Sequence, residues 1–382
     1  MKLTNLLDGE KLLYHLRNGF VGCQTHPTQP LCIYNYTPRA AFANAWGDNV
    51  IDYCRGLIVN TDTYEIVARP FKKFHNLNTL SMPETMAENL PKDQPKIALK
   101  LDGSLGIWYP DGTPEGAIAT RGSFTSPQAI WATHYWKNSF PGRSNVRISL
   151  FQGIWTPLFE IIYPENRIVV DYEGAECLVA IGGIYISDGV EVSCEHLAYT
   201  FGDMVVPQGV MHKDVTLKAL AEENTPNEEG YVLTYKNGFK VKIKFEDYKR
   251  MHRIITGVNP RSLWELLRDD KQIDREGLPE NFVRWADKWT DYLVGEHNRI
   301  LNEATEAFAN RPFREAGEPD RLYRASFARF VAMESSEKPY LKPLLFKMFD
   351  GFDVSPIAWA QIEPAGNDNR FSTSRIDVTA DA

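Results

Sequence analysis

Lys100-Leu101-Asp102-Gly103-Ser104 sets an amine, a carboxylate and a hydroxyl on a short connection between two apolar runs, residues 97–99 and 105–109. A lysine amine that sheds its proton is a nucleophile, and covalent catalysis divides one hard condensation into easier steps. A lysine at a strand end can equally be a solvated charge, and the small residues after it a turn. Further along, Lys240, Lys242 and Lys244 alternate with Val241, Ile243 and Phe245. Strand geometry puts the three ammonium groups on one face. Such a row suits a bound polyphosphate, although a solvated amphipathic strand has the same pattern. Glu160 is the sole charge in Leu158-Phe159-Glu160-Ile161-Ile162-Tyr163. A carboxylate there is costly without a partner, so it needs an ion pair or a cleft holding lysines or a metal. Arg55-Gly56 precedes Leu57-Ile58-Val59, Lys73-Phe74-His75-Asn76 lies upstream of Lys100, and Glu229-Gly230 opens Tyr231-Val232-Leu233.

The elements that must position these groups are mostly short strands. Apolar and β-branched runs predict strands over 52–60, 97–110, 116–120, 158–163, 167–172 and 177–187. Asp111-Gly112 supplies one turn. Lys236-Asn237-Gly238 closes a hairpin between 230–235 and 239–245. Helices fit at 126–138 and 196–201. The pattern changes near Asn259-Pro260, after which apolar residues recur at helical spacing. Leu263, Leu266 and Leu267 share one face. Phe282, Trp285, Trp289, Tyr292, Leu293, His297 and Ile300 form a longer stripe. Further helices are predicted over 321–333 and 342–349, punctuated by Pro312, Pro319, Pro339 and Pro343. The fold class is α+β: a strand-rich domain over 1–250, an all-helical domain over 251–363, and a polar tail over 364–382.

Composition narrows the classes. The chain has 382 residues, 43% of them hydrophobic, and a net charge of −8. Any basic surface for nucleic acid must therefore be local. The 5 cysteines are odd in number and none sits at Cys-x-x-Cys spacing, so neither a disulfide framework nor a structural zinc site is expected. Residues 1–13 mix charges with leucines and do not read as a signal peptide. No apolar run approaches the roughly 18 residues of a membrane span, and a cytoplasmic protein is expected. The chain has no Gly-x-x-x-x-Gly-Lys-[Ser/Thr] loop and no Gly-x-Gly-x-x-Gly fingerprint. Its 8 histidines form no ligand pattern.

The order of segments, Lys-x-Asp-Gly, Glu on a strand, Glu-Gly and Lys-x-Lys, resembles the covalent nucleotidyltransferases: RNA ligases, DNA ligases and capping enzymes. Finer details resemble the RNA ligase 1 family of bacteriophages. They are Tyr34-Asn35-Tyr36, Cys54-Arg55-Gly56, Lys73-Phe74-His75-Asn76-Leu77-Asn78, Lys100 to Ser104, Phe159-Glu160, Asn166-Arg167-Ile168-Val169, Glu229-Gly230-Tyr231-Val232 and Lys242-Ile243-Lys244. The resemblance implies an antiparallel-sheet nucleotidyltransferase domain followed by the helical domain. It implies that Lys100 attacks ATP and carries AMP, which then activates an RNA 5′ end for sealing to a 3′-hydroxyl. Arg55, Lys73, Arg121, Lys242 and Lys244 would steady the phosphates, and Tyr34 would join the nucleotide contacts. Asp102 and Glu229 would hold Mg²⁺, with Mn²⁺ able to substitute. Glu160 would accept from a ribose hydroxyl, and Gly103 and Gly230 would let the backbone approach the nucleotide.

Two positions depart from the family pattern. Arg121 stands where a lysine is usual, and a guanidinium binds phosphate as a fork. His75 stands where an aromatic is usual, and would have to stack on adenine in its place. The expected partners are single-stranded RNA or cleaved tRNA ends, with no membrane and no protein partner evident. The expected compartment is the cytoplasm, that of the host if the chain is phage-encoded. A DNA ligase or capping enzyme would usually continue into an all-β OB domain, whereas 260–363 reads as helices. A non-catalytic nucleotide- or RNA-binding module is the alternative of a different class.

Overall fold

In the computed structural model, which describes residues 1–139, 148–206, 208–210 and 216–365, the described chain divides into two units, one over residues 1–250 and one over residues 251–365. Residues 366–382 of the expected polar tail lie outside the described residues. The first unit is built on three sheets. One runs in order through β1 (Val21–Thr25), β2 (Leu31–Tyr36), β3 (Arg55–Asn60) and β4 (Ile66–Ala68). A second has β10 (Cys177–Tyr185), β9 (Trp155–Ile162), β7 (Ser104–Tyr109) and β8 (Ala117–Thr120) side by side. The third has the order β11 (Gln208–Val210), β6 (Lys96–Leu99), β12 (Gly230–Thr234), β13 (Lys240–Lys244) and β5 (His75–Asn76). All pairings are antiparallel except the short one between β13 and β5. The class is therefore α+β with antiparallel sheets, as the sequence predicts.

Helices α1 (Gly9–Arg17), α2 (Pro38–Phe42), α3 (Asn49–Tyr53), α4 (Pro127–Ser139), α5 (Cys194–Phe201) and α6 (Leu217–Glu222) complete this unit. Trp108, Trp136, Phe151, Trp155, Phe159 and Phe201 fill the core under the second sheet. The β12–β13 hairpin closes on Lys236-Asn237-Gly238, and pairs Thr234 with Lys240. Val241 and Ile243 are buried on its inner face, while Lys240, Lys242 and Lys244 stay half-buried on the other.

The structure corrects three local expectations. Residues 49–53 are helical and not strand: Asp48 caps α3 by accepting from the Val50 amide, and β3 starts only at Arg55. Residues 167–172 form no strand, because their amides serve other partners, described below. Cys23 and Cys32 are joined as a disulfide between β1 and β2, a single cross-link that cysteine spacing did not announce.

The second unit contains only helices among the described residues. They are α8 (Pro260–Arg268), α9 (Glu280–Ala309), α10 (Asp320–Glu334), α11 (Leu341–Phe349) and α12 (Ser355–Gln361), preceded by the end of α7 (Glu246–Gly257). Asn259 and Ser262 form a capping box that starts α8. Phe282, Ala286, Leu293, His297, Ile300 and Ala304 bury one stripe of α9. Tyr292, expected on that stripe, is 58% exposed. His297 is a satisfied core residue, stacked on Trp359 and 3.1 Å from the Ser355 hydroxyl. No helix among the described residues is long and apolar enough to cross a membrane.

Candidate functional site

A cavity of about 600 Å³ lies in the first unit and gathers Lys100, Glu160, Arg55, Lys73, Arg121 and Lys242 from six different segments. Lys100 follows β6 directly, and its amide donates to the Gly230 carbonyl at 2.8 Å. Its Nζ lies 2.6 Å from Glu229 Oε2. Lys244 Nζ lies 2.7 Å from the other oxygen, Glu229 Oε1. One buried carboxylate thus holds two ammonium groups, one of them the candidate nucleophile. Gly230 makes this possible. Its φ is +137°, and a Cβ there would come within 2.0 Å of the Ile243 carbonyl. Only glycine lets β12 start so close to β13. Gly103 is demanded by packing too, since a Cβ would fall 2.5 Å from the Ile161 carbonyl. In both cases the missing side chain makes room for protein backbone and not for a ligand.

Asp102 does not line the cavity. Its Oδ2 accepts from the Val169 and Val170 amides at 2.8 and 2.9 Å. Its Oδ1 accepts from the Tyr248 hydroxyl at 2.7 Å. Its own amide donates to the Tyr172 hydroxyl. This explains the absent strand over 167–172: the segment is a strap whose amides grip Asp102 and the Asn227 side chain. Ser104 is tied to the same strap through Asn166. Asp102 therefore sets the shape of the nucleophile's loop, and its expected place as a metal ligand is not where its oxygens point.

The opposite side of the cavity is cationic. Among the described residues Arg55, Lys73, Arg121 and Lys242 make no ion pair, in contrast to Lys100 and Lys244. Arg55 Nη1 is buried without any hydrogen-bond partner, a cost normally met by a ligand or water. Burial and the neighbouring Lys73, Lys100 and Lys244 push the Lys242 pKa down to about 7. Burial likewise lowers Lys73 and Arg55. Burial drives Glu160 the other way, up to about 8, against the pull of Lys100. Arg121, the departure from lysine, donates from Nη1 to the Tyr36 hydroxyl at 2.7 Å and lies over the Tyr36 ring. The fork thus has one arm anchored. Lys240, third in the row, is engaged differently: it pairs with Glu191 at 2.7 Å and with Thr234.

Two expected contacts lie elsewhere. Tyr34 packs against the core beneath α1 and α3 and does not line the cavity. The pairing with β3 skips Gly56, whose φ is +97°, between Tyr34–Leu57 and Asn35–Arg55, and it is Tyr36 that meets Arg121. His75 is also absent from the cavity lining and lines a second groove of the same unit. Its Nε2 has no partner. Burial, with Lys73 and Lys242 nearby, holds its pKa down to about 4, so the ring is neutral. The sequence reading passed over Trp46, which packs edge-on against both Tyr36 and His75. It also passed over Tyr248, which fastens Asp102. Trp46 lies among small and uncharged residues, and the charges around Tyr248, Glu246, Asp247, Lys249 and Arg250, form no pattern that marks a tyrosine.

A metal was expected at Asp102 and Glu229. No three His, Cys, Asp or Glu residues come together to hold an ion among the described residues. Both Glu229 oxygens are on lysines and only Glu160 lines the cavity, so Glu229 would reach an ion through water or by releasing a lysine, and the set fits only an ion that brings most of its ligands with it, as Mg²⁺ does on a polyphosphate.

An antiparallel α+β unit with a buried lysine–glutamate pair beside unpaired cations has the charge arrangement that suits a phosphorylated ligand. The sequence comparisons give the family: a model described as RNA ligase, of the T4 RNA ligase 1 type, matches residues 53–248, and the chain belongs to that family. A protein of Thermovibrio ammonificans named as a candidate RNA ligase is 32% identical over 127 residues, covering 33% of this chain and 32% of that protein. One of Autographa californica nuclear polyhedrosis virus, named as a candidate bifunctional polynucleotide kinase/RNA ligase, is 27% identical over 311 residues, covering 75% of this chain and 42% of that one. The chain thus spans less than half the length of either relative. Among solved structures, an archaeal ATP-dependent RNA ligase overlaps 91% of this chain and 80% of its own, with 13% identity and a TM-score of 0.45.

Proposed function

We propose that this protein is an ATP-dependent RNA ligase whose Lys100 carries AMP. Lys100 Nζ, freed of its proton, attacks the α-phosphorus of ATP and forms a P–N bond as pyrophosphate leaves. The AMP then passes to the 5′-phosphate of an RNA. A 3′-hydroxyl attacks that activated phosphate and AMP departs. The observation that carries the reading is Lys100, fixed by Glu229 at the edge of a cavity whose other wall is cations without counter-ions. Phosphoryl-type transfer depends chiefly on positioning and charge stabilisation. Glu229 positions the amine, while Arg55, Lys73, Arg121 and Lys242 are placed to take the phosphates. Glu160, neutral up to about pH 8, suits a hydrogen bond with a ribose hydroxyl. Mg²⁺ would be held by Glu229, directly or through water, and would neutralise phosphate charge. The substrates proposed are single-stranded RNA ends, cleaved tRNA among them, met in the cytoplasm.

Incubation with ATP labelled at the α-phosphate tests this. The wild type should acquire a label that survives denaturation in detergent, and Lys100→Ala should acquire none. Label on that folded variant overturns the assignment.

A further inference from the structure

One aromatic cluster joins the cavity through Tyr36, Lys73 and Arg121, which line it, and continues beyond it to Trp46. Lys73 Nζ lies 4.8 Å from the centre of the Trp46 ring and 5.5 Å from that of Tyr36. Trp46 meets Tyr36 edge-on at 5.1 Å, and Arg121 covers Tyr36 at 4.7 Å. Helix α2 starts just after Tyr36, at Pro38, with Thr37 before it. The helix ends at Phe42, whose ring is 91% exposed. The turn beyond it is fixed. Asn44 adopts φ +49°, its amide donates to Ala41, and the Ala45 amide donates to Ala40. That left-handed close of a helix sends the chain back, so that Trp46 returns to Tyr36 while Phe42 stays outside. Arg39, exposed on the same helix, adds a cation.

One exposed aromatic is ordinary on a protein surface. Here it ends the short helix that runs from Tyr36 and carries Arg39, four residues before Trp46, whose ring meets Tyr36 and Lys73, and nearby Asp48 is already engaged by His15 and by the Val50 amide. Ring faces interleaved with cations form the surface that single-stranded nucleic acid recognises, because every base has a face to stack and every linkage a charge.

Resting on the ligase reading above, we propose that the α2 segment around Phe42 and Trp46 is a stacking platform for the RNA strand that brings the 5′-phosphate. Arg121 and Lys73 belong both to this surface and to the cavity, so a strand lying on it delivers its terminal phosphate towards Lys100. The first bases stack on Phe42, and Arg39 takes a backbone phosphate.

The test uses the full chain as wild type, Phe42→Ala and Phe42→Trp. Three quantities are read: the lysyl adduct formed with ATP, the KM for a 5′-phosphorylated, 3′-blocked oligoribonucleotide scored as its adenylylated form, and the same KM with abasic second and third positions. Phe42→Ala should form the adduct normally and raise the KM by about five- to hundredfold, the range of one lost stacking contact. Phe42→Trp should restore it. The abasic strand should raise the wild-type KM and leave that of Phe42→Ala nearly unchanged, since both remove one interaction. Equal KM values for wild type and Phe42→Ala overturn the platform alone, as does an equal penalty from abasic sites in both. An unchanged KM with a lower mass by light scattering overturns it too, and marks Phe42 as a contact between copies. A wild type that takes no label overturns the ligase reading and the platform with it.

Discussion

The two sides of the cavity are assembled on opposite rules. On the Lys100 side, two carboxylates are already matched: Glu229 holds Lys100 and Lys244, and Asp102, behind the cavity lining, holds two amides and a phenol. On the other side, Arg55, Lys73 and Lys242 crowd together, and burial lowers the pKa of all three. The first side is finished within the protein and fixes the position of one amine. The second side has no counter-ions among the described residues, the state a bound anion would complete. Cutting a satisfied group should cost stability, whereas cutting a wall cation should cost activity alone.

The largest effect is expected at Glu229. Glu229→Gln keeps the shape but leaves two ammonium groups facing an amide, one of them meeting its NH₂. Removing one partner of a buried ion pair typically costs about 3–5 kcal/mol; the lysines are each about a fifth exposed, so the lower end is expected. Chemical denaturation should show this loss, and label transfer from ATP should fall with it because Lys100 loses its anchor. A Glu229→Gln variant as stable as wild type would break the contrast between the two sides.

A smaller loss is expected at Asp102. Asp102→Asn can keep its oxygen on the Val169 and Val170 amides and turn its nitrogen towards Tyr248, but the bonds lose their ionic character. The cost should be about 1–3 kcal/mol in the same unfolding measurement. The Mg²⁺ dependence of adduct formation should stay that of the wild type, since Asp102 points away from the cavity. A shifted Mg²⁺ requirement would return Asp102 to the metal.

The sequence and the structure differ most where side chains serve one another across long chain separations. Glu160, Lys242 and Lys244 are legible because each is a charge on an otherwise apolar strand, and the strand period tells which face it takes, whereas Lys100 and Glu229 flank strands and are legible only through their motifs. The β12–β13 hairpin was legible from Asn237-Gly238 and the alternation around it. The strap over 167–172 was not. Its β-branched residues have strand propensity, and only the arrival of Asp102, 67 residues earlier in the chain, diverts the Val169 amide from a ladder. Tyr34 and Tyr36 are not told apart by the resemblance, since they lie two apart on one regular strand, β2, and only packing sends Tyr34 to the core. His75 was read as a ring for adenine, yet its pairing next to Val241 on β13 places it outside the cavity lining. In the second unit, α9 followed from periodicity, but the exposed Tyr292 shows that an aromatic residue near a stripe is not fixed to it.

The smallest effect concerns protons and isolates the cationic wall. Lys242 titrates near pH 7 in the free protein, well below the ordinary value of 10.5. Between those two values the folded chain leaves this amine neutral while the unfolded chain protonates it. Unfolding then takes up a proton, so Lys242 makes stability rise with pH through that window, and its penalty is fully present below pH 7. A bound polyphosphate reverses the preference, because a nearby anion favours the ammonium form. Binding an ATP analogue with a methylene bridge between the α- and β-phosphates should therefore draw a proton from solvent at pH 8. Calorimetry in two buffers of different ionisation enthalpy should read an uptake that approaches one proton at pH 8 and fades below about pH 6, where Lys242 is already charged. Glu160, titrating near 8, would add to the uptake in the same direction, so a control must separate them. Lys242→Met supplies it: the Lys242 share of the uptake should vanish, the analogue should bind more weakly, and the melting temperature should hold or rise as the repulsion from Lys73, Lys100 and Lys244 is relieved. A Lys242→Met protein that melts well below wild type would mean that the wall is held together by contacts among its own residues and not poised for an anion.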